Sequence, residues 1–189
     1  ERESEGNVSS MKLTECAIIL PDETLLSSVL NSIPDEVEDI NVTMGLPMTG
    51  SILYSMMSDI SAIQLHAVNR KGEWYFYHKQ VWDLFANDLF RKAADPQTME
   101  IVSKVKAEAS YYISRKTLSG TPLLDVVFNP VITDPKVASV EQIKAFGDYQ
   151  NMVLTTVASA VTADSGLDLE LEYAKEYYKY VNVLKEIDL

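Results

Sequence analysis

One cysteine, two histidines, seven glycines and seven prolines in 189 residues leave several kinds of chemistry without their parts. Cys16 alone cannot build a disulfide framework, and with only His66 and His78 beside it no set of ligands is spaced for zinc. No Gly-x-x-x-x-Gly-Lys-Ser/Thr loop occurs, so the phosphate cradle of an ATPase is missing, and no Gly-x-Ser-x-Gly elbow offers a nucleophile. Positive charge is also short. Sixteen Lys+Arg stand against 28 Asp+Glu, a net −12, which argues against a dedicated nucleic-acid binder. No uninterrupted apolar run is long enough to span a bilayer, so no membrane partner is expected. The lone thiol fits a reducing, cytoplasmic setting as a small packed hydrophobe. No metal and no cofactor are expected.

What the sequence does have is 47% hydrophobic residues without low-complexity tracts or internal repeats, the composition of a folded chain. Residues 1–12 are polar, open on Glu1 rather than Met, and read as a frayed lead-in to an excised piece. Cys16 to Leu20 is a short apolar run closed by Pro21, the pattern of a strand buried on both faces. Asp22 or Thr24 caps the next element, where Leu25, Leu26, Val29, Leu30 and Ile33 recur at helical spacing. After Pro34 and an acidic loop, Ile40 to Met44 reads as a second short strand. Strand, helix and strand over some thirty residues predict a parallel βαβ unit with a right-handed crossover. Ser51 to Ala67 then carries Leu53, Met56, Met57, Ile60 and Ile63 on one helical face.

Three pieces of this region carry a resemblance. They are Ile18-Ile19-Leu20-Pro21-Asp22-Glu23-Thr24-Leu25-Leu26, Val42-Thr43-Met44-Gly45-Leu46-Pro47, and Trp74-Tyr75-Phe76-Tyr77 leading into Val81 to Phe90. In order and spacing they resemble the opening of the second RecA-like domain of UvrD-type helicases. More closely, they resemble the AddB-like proteins of Bacteroidetes, which join a degenerate helicase to a PD-D/E-x-K nuclease. The resemblance covers roughly residues 14–90 and is organisational beyond that. It implies a RecA-like βαβ segment over residues 13–68 and a helical insertion domain over residues 69–189. The parent protein it implies is a helicase-exonuclease of DNA repair and recombination, with DNA and a helicase-nuclease subunit as partners. One departure bears on mechanism. Active members place an arginine just after the first strand, where this sequence reads Pro21-Asp22-Glu23-Thr24. Two carboxylates there repel a triphosphate, so the resemblance implies a scaffold without ATPase activity.

The fold class expected is therefore α/β and predominantly helical. Asn69-Arg70-Lys71-Gly72 reads as a turn, and Trp74 to His78 as a short strand or apolar plug. Helices are expected at Lys79 to Phe90, Gln97 to Ala109 behind an Asp95-Pro96 break, Val140 to Val161, and Asp168 to Ile187. Tyr111 to Ile113 runs extended, and periodicity leaves Leu123 to Phe128 open between helix and strand. On the last helix Tyr173, Tyr177 and Tyr180 share a face with Leu184.

Charge is uneven along the chain. Residues 66–116 hold nine Lys+Arg against six Asp+Glu, and the remainder seven against twenty-two. Phosphate contact is therefore expected only in that middle stretch, with Arg70, Lys71, Arg91, Lys92, Lys104 and Lys106 as DNA-contact candidates. The bland alternative for these six, and for the Arg115-Lys116 pair, is ordinary solvated surface, since the basic residues lie in separate pairs with no continuous stripe. Aromatic side chains beside basic ones can stack unpaired bases, although at helical spacing they more often pack a core.

No catalytic residue is expected in this stretch. Asp134-Pro135-Lys136 has the D-x-K spacing of the nuclease motif, but Asp134 precedes a proline in a loop. Two other functions stay open at this point: a self-contained α/β module binding a small ligand at the carboxyl edge of the first strand, and a protein-interaction domain docking through the tyrosine-bearing last helix.

Overall fold

A computed structural model describes residues 17–34, 36–37, 40–43, 45, 47–133, 139–161 and 168–186. The chain divides into two compact units, Glu1–Pro47 and Met48–Leu189. The predominantly helical α/β class is as expected, but among the described residues the sheet is antiparallel and no parallel βαβ unit forms.

In the first unit, Asp22 caps a single 3-10 turn, Glu23–Leu25, its carboxylate accepting from the Thr24 amide at 2.9 Å. A five-residue helix, α1 (Leu26–Leu30), continues from it. The helix expected up to Ile33 is thus short, with Leu26 buried and Leu25 exposed. Residues 17–20 and 40–43 form no strand, and Ile18, Ile19, Ile40 and Val42 stand open to solvent. Cys16 and Met44 lie outside the described residues. The physical reason is that an apolar run of four or five residues carries no periodicity and becomes a strand only where another strand pairs with it. Without that parallel pair, the ligand crevice expected at its carboxyl edge has no sheet to stand on among the described residues.

The second unit opens on a 3-10 turn, Met48–Gly50, and continues into helix α2 (Ile52–Leu65), started by Ser51, whose hydroxyl accepts from the Tyr54 amide at 3.0 Å. Its expected stripe of Leu53, Met56, Met57, Ile60 and Ile63 is fully buried. A hairpin comes next, β1 (Val68–Arg70) and β2 (Glu73–Tyr77), with Arg70 paired to Glu73 across a two-residue turn. Lys71 (φ 54°) and Gly72 (φ 84°) both take the left-handed conformation, which matches the right-handed twist of the strands. The Asn69 side chain accepts from the Gly72 amide at 3.0 Å and holds the turn.

The expected helix from Lys79 to Phe90 is two helices, α3 (His78–Ala86) and α4 (Asp88–Ala93). Asn87 breaks it in an extended conformation (ψ 130°), and its side-chain oxygen caps the Leu89 and Phe90 amides at 2.9 and 3.3 Å. Asp95 starts α5 (Pro96–Glu108) by accepting from the Thr98 amide at 2.6 Å, a bond that holds its carboxyl below the ordinary aspartate range. β3 (Tyr112–Ser114) then adds to β2, completing an antiparallel sheet of order β1-β2-β3. The undecided Leu123 to Phe128 run is a helix, α6 (Pro122–Val127), because Thr121 caps it and Pro122 sits in its first turn.

Helices α7 (Val140–Ala160) and α8 (Asp168–Glu186) pack along each other at Gly147, where an added Cβ would lie 2.8 Å from Lys185 Cγ. The core runs between α2, the inner sheet face and α3 to α7. Phe128 sits at its centre, 5.3 Å from the Phe76 ring and 6.1 Å from that of Phe85. Buried polar groups tie loops to this core: Gln64 donates to the Asn129 carbonyl at 2.8 Å and accepts from the Val131 amide at 3.0 Å.

Candidate nucleic-acid interface

The sheet positions the site. Strand side chains alternate, and the register puts Phe76 and Ile113 on the buried side. The opposite side therefore carries Arg70 from β1, Glu73, Tyr75 and Tyr77 from β2, and Tyr112 from β3. Over that face the Arg70 guanidinium lies 4.6 Å from the Tyr112 ring centre and 5.8 Å from that of Tyr75. A cation held against ring faces in this way is attracted by their quadrupoles, worth about 0.5–1 kcal/mol at an exposed site.

Tyr77 extends the platform. Its ring meets Tyr112 at 6.0 Å and Tyr111 at 5.2 Å, and the Tyr77 and Tyr111 hydroxyls are hydrogen-bonded at 3.4 Å. That bond is the main reason the Tyr111 hydroxyl titrates above the ordinary tyrosine range. His78 is half-buried, 4.6 Å from the Tyr77 ring and 4.7 Å from Tyr111. Its backbone amide donates to the Tyr111 carbonyl at 3.2 Å, and its Nδ1 lies 3.1 Å from the same oxygen. His66 closes α2, with Nδ1 2.8 Å from the Ala62 carbonyl. Both histidines thus hold Nδ1 against a backbone carbonyl, which fixes the orientation of each ring.

At the turn end of the hairpin an open cleft of about 460 Å³ is lined by Lys71, Gly72, Glu73, Trp74, Arg115, Lys116, Ser119 and Asp125. The six candidate cations are distributed rather than gathered. Arg70 lies on the tyrosine face and Lys71 in the cleft. Arg91 and Lys92 occupy the last turn of α4, which packs mainly on α2, α3 and α7, with Arg91 Nη1 3.7 Å from Asp88. Lys104 pairs with Glu100 at 2.7 Å along α5, and Lys106 lies in the last turn of that helix. Exposed pairs of this kind contribute little to stability. The structure instead joins Lys71 to Arg115 and Lys116, which are not among the six candidates. The signal for the sheet face was the alternation Tyr75-x-Tyr77 beside Tyr111-Tyr112, which only strand geometry turns into a face.

The last helix splits its tyrosines. Tyr173 and Tyr177 pack on the core, Tyr177 bonded to Gln150 at 3.0 Å, while Tyr178 and Tyr180 are exposed. The expected shared face with Leu184 is therefore divided between core and solvent. The D-x-K triplet at 134–136 lies outside the described residues. Among the described residues no group of three or more metal-ligating side chains gathers, and no helix is long and apolar enough to cross a membrane. No protein-family model, no curated protein and no solved structure matches the chain.

Proposed function

We propose that this chain is a non-catalytic segment of a cytoplasmic DNA helicase-exonuclease of repair and recombination, and that it contacts an unpaired strand through the outer face of its sheet. The observation carrying this reading is the Arg70 guanidinium poised over Tyr112 and Tyr75 beside Tyr77 and Tyr111. Aromatic faces accept any base, each stacked base contributing about 1–3 kcal/mol, while nearby cations track the backbone. The resemblance to AddB-like proteins supports DNA as the partner and chemistry performed outside this stretch. The net charge of −12 limits the affinity, because acidic surface within about 8–10 Å of the strand is only partly screened at physiological salt.

A single-stranded oligonucleotide titrated at several salt concentrations tests this. Arg70, Lys71, Arg115 and Lys116 engaging up to four phosphates give a slope of log affinity against log salt of roughly −2 to −3. A Tyr75→Ala/Tyr112→Ala variant is expected to bind about tenfold or more weaker, whereas Arg91→Ala/Lys92→Ala lowers affinity little. Wild-type affinity in the tyrosine variant, or a loss confined to the α4 variant, would remove the sheet face from consideration.

A further inference from the structure

The cleft at the hairpin turn differs in chemistry from the tyrosine face. We propose that it receives a phosphomonoester carried on a nucleoside, whether free or at the end of a strand; for the strand-borne source this rests on the strand-binding function proposed for the sheet.

Arg115 is the fixed point of the cleft. Its Nε donates to the Phe128 carbonyl at 3.2 Å and its Nη2 to the Asn129 side-chain oxygen at 3.3 Å. Those bonds commit two of the five guanidinium N–H donors and fix the plane, leaving the other three for an anion. A guanidinium already held in place loses little freedom when it binds. Lys71 stands on the rigid two-residue turn, and among the described residues it makes no ion pair.

Lys116 Nζ lies 3.3 Å from Glu73, but its side chain is 82% exposed, so that pair is weak and exchangeable. The second carboxylate of the lining, Asp125, already accepts from the Gly120 amide at 3.1 Å. Three cations, Lys71, Arg115 and Lys116, therefore face two carboxylates, Glu73 and Asp125, a local excess of one positive charge in a chain of net −12.

The same lining selects the form of phosphate and its carrier. A monoester brings a charge of about −1.5 to −2 and three terminal oxygens, matching three cations better than the single charge of a backbone diester. The half-buried Trp74 forms part of the wall, and an indole face is where a base can stack. A volume of about 460 Å³ falls in the range of roughly 300–1,000 Å³ typical of small-ligand sites.

Trp74 is also the reporter. The chain has two tryptophans, so a Trp82→Phe background leaves its fluorescence alone. In the full chain, thymidine 5′-monophosphate is expected to quench Trp74 at concentrations at least fivefold below those needed by thymidine. Lys71→Ala/Lys116→Ala should weaken the response at least fivefold, while the charge-matched control Arg91→Ala/Lys92→Ala keeps it.

Equal responses to nucleotide and nucleoside, or an unaffected Lys71→Ala/Lys116→Ala variant, overturn the proposal. Paired oligonucleotides with a 5′-phosphate or a 5′-hydroxyl separate the two sources. An at least threefold preference for the phosphorylated strand, lost in the lysine variant, assigns the cleft to a strand end. No preference alongside a normal mononucleotide response assigns it to a free nucleotide. If no oligonucleotide binds while the mononucleotide still quenches Trp74, the strand reading of the sheet face falls and the cleft stands.

Discussion

Glu170 reaches from α8 to the start of α2, and its removal is the perturbation that most directly tests how the second unit is held together. Its carboxylate accepts from the backbone amides of Ile52 at 3.2 Å and Leu53 at 2.8 Å, across 118 and 117 residues of sequence. The first amides of a helix have no partner within it. Ser51 satisfies the Tyr54 amide, so Glu170 and Ser51 divide the helix start between them. A charged acceptor contributes about 1.5–3 kcal/mol to a hydrogen bond, and a negative charge at a helix N-terminus about 0.3–1 kcal/mol through the dipole. Because the site is only half-buried, water replaces part of this. Glu170→Ala is therefore expected to cost about 2 kcal/mol. Glu170→Gln keeps a carbonyl acceptor but not the charge, and should cost about half as much. For a unit of roughly 140 residues, about 2 kcal/mol corresponds to roughly 6–8 °C in Tm. Thermal denaturation by circular dichroism, with Ser51→Ala as a local capping reference near ~1 kcal/mol, provides the measurement. Unchanged melting in Glu170→Ala would mean that α8 does not dock on the start of α2, and equal losses in the Ala and Gln variants would discard the charge contribution.

Gly147→Val should destabilise by about 1–3 kcal/mol, because its first side-chain carbon would press on Lys185 Cγ at 2.8 Å and Val181 Cγ1 at 3.3 Å where α7 and α8 meet; urea denaturation with an unchanged midpoint would contradict that close approach. The Tyr149 hydroxyl donates to the Val127 carbonyl at 2.5 Å, and burial pushes its pKa well above the ordinary tyrosine range. The folded state thus holds this proton more tightly than the unfolded state does. Its contribution is complete below the unfolded tyrosine value of about 10 and is lost as pH rises beyond it, by up to about 1.4 kcal/mol per pH unit. Tyr149→Phe should flatten the stability profile between about pH 10 and 11 and cost about 1–2 kcal/mol at neutral pH; an unaltered alkaline slope would show that Tyr149 is not the titrating group.

Several signals that lay within one turn or one helix let the sequence determine the outcome alone. The caps at Asp22, Ser51 and Asp95, the turn at Lys71-Gly72, the buried stripe of α2 and the span of α7 all arise from residues a few positions apart, because capping and periodicity are local physics. The break at Asn87 was legible in principle, since Asn is a strong N-cap, but the continuous apolar face from Val81 to Leu89 masked it. Only the tertiary structure decided which extended segments became sheet. Ile18-Ile19 and Tyr112-Ile113 are both short apolar or aromatic runs, yet among the described residues only the second finds a partner, pairing with Tyr77 and Phe76 of β2. That pairing turned Tyr75, Tyr77 and Tyr112 outward under Arg70. The path of the chain after β3, anchored by Arg115 on Phe128 and Asn129, brought Arg115 and Lys116 to Lys71 from distant sequence. Strand pairing and loop anchoring are contacts between distant residues, and no local pattern encodes their partner.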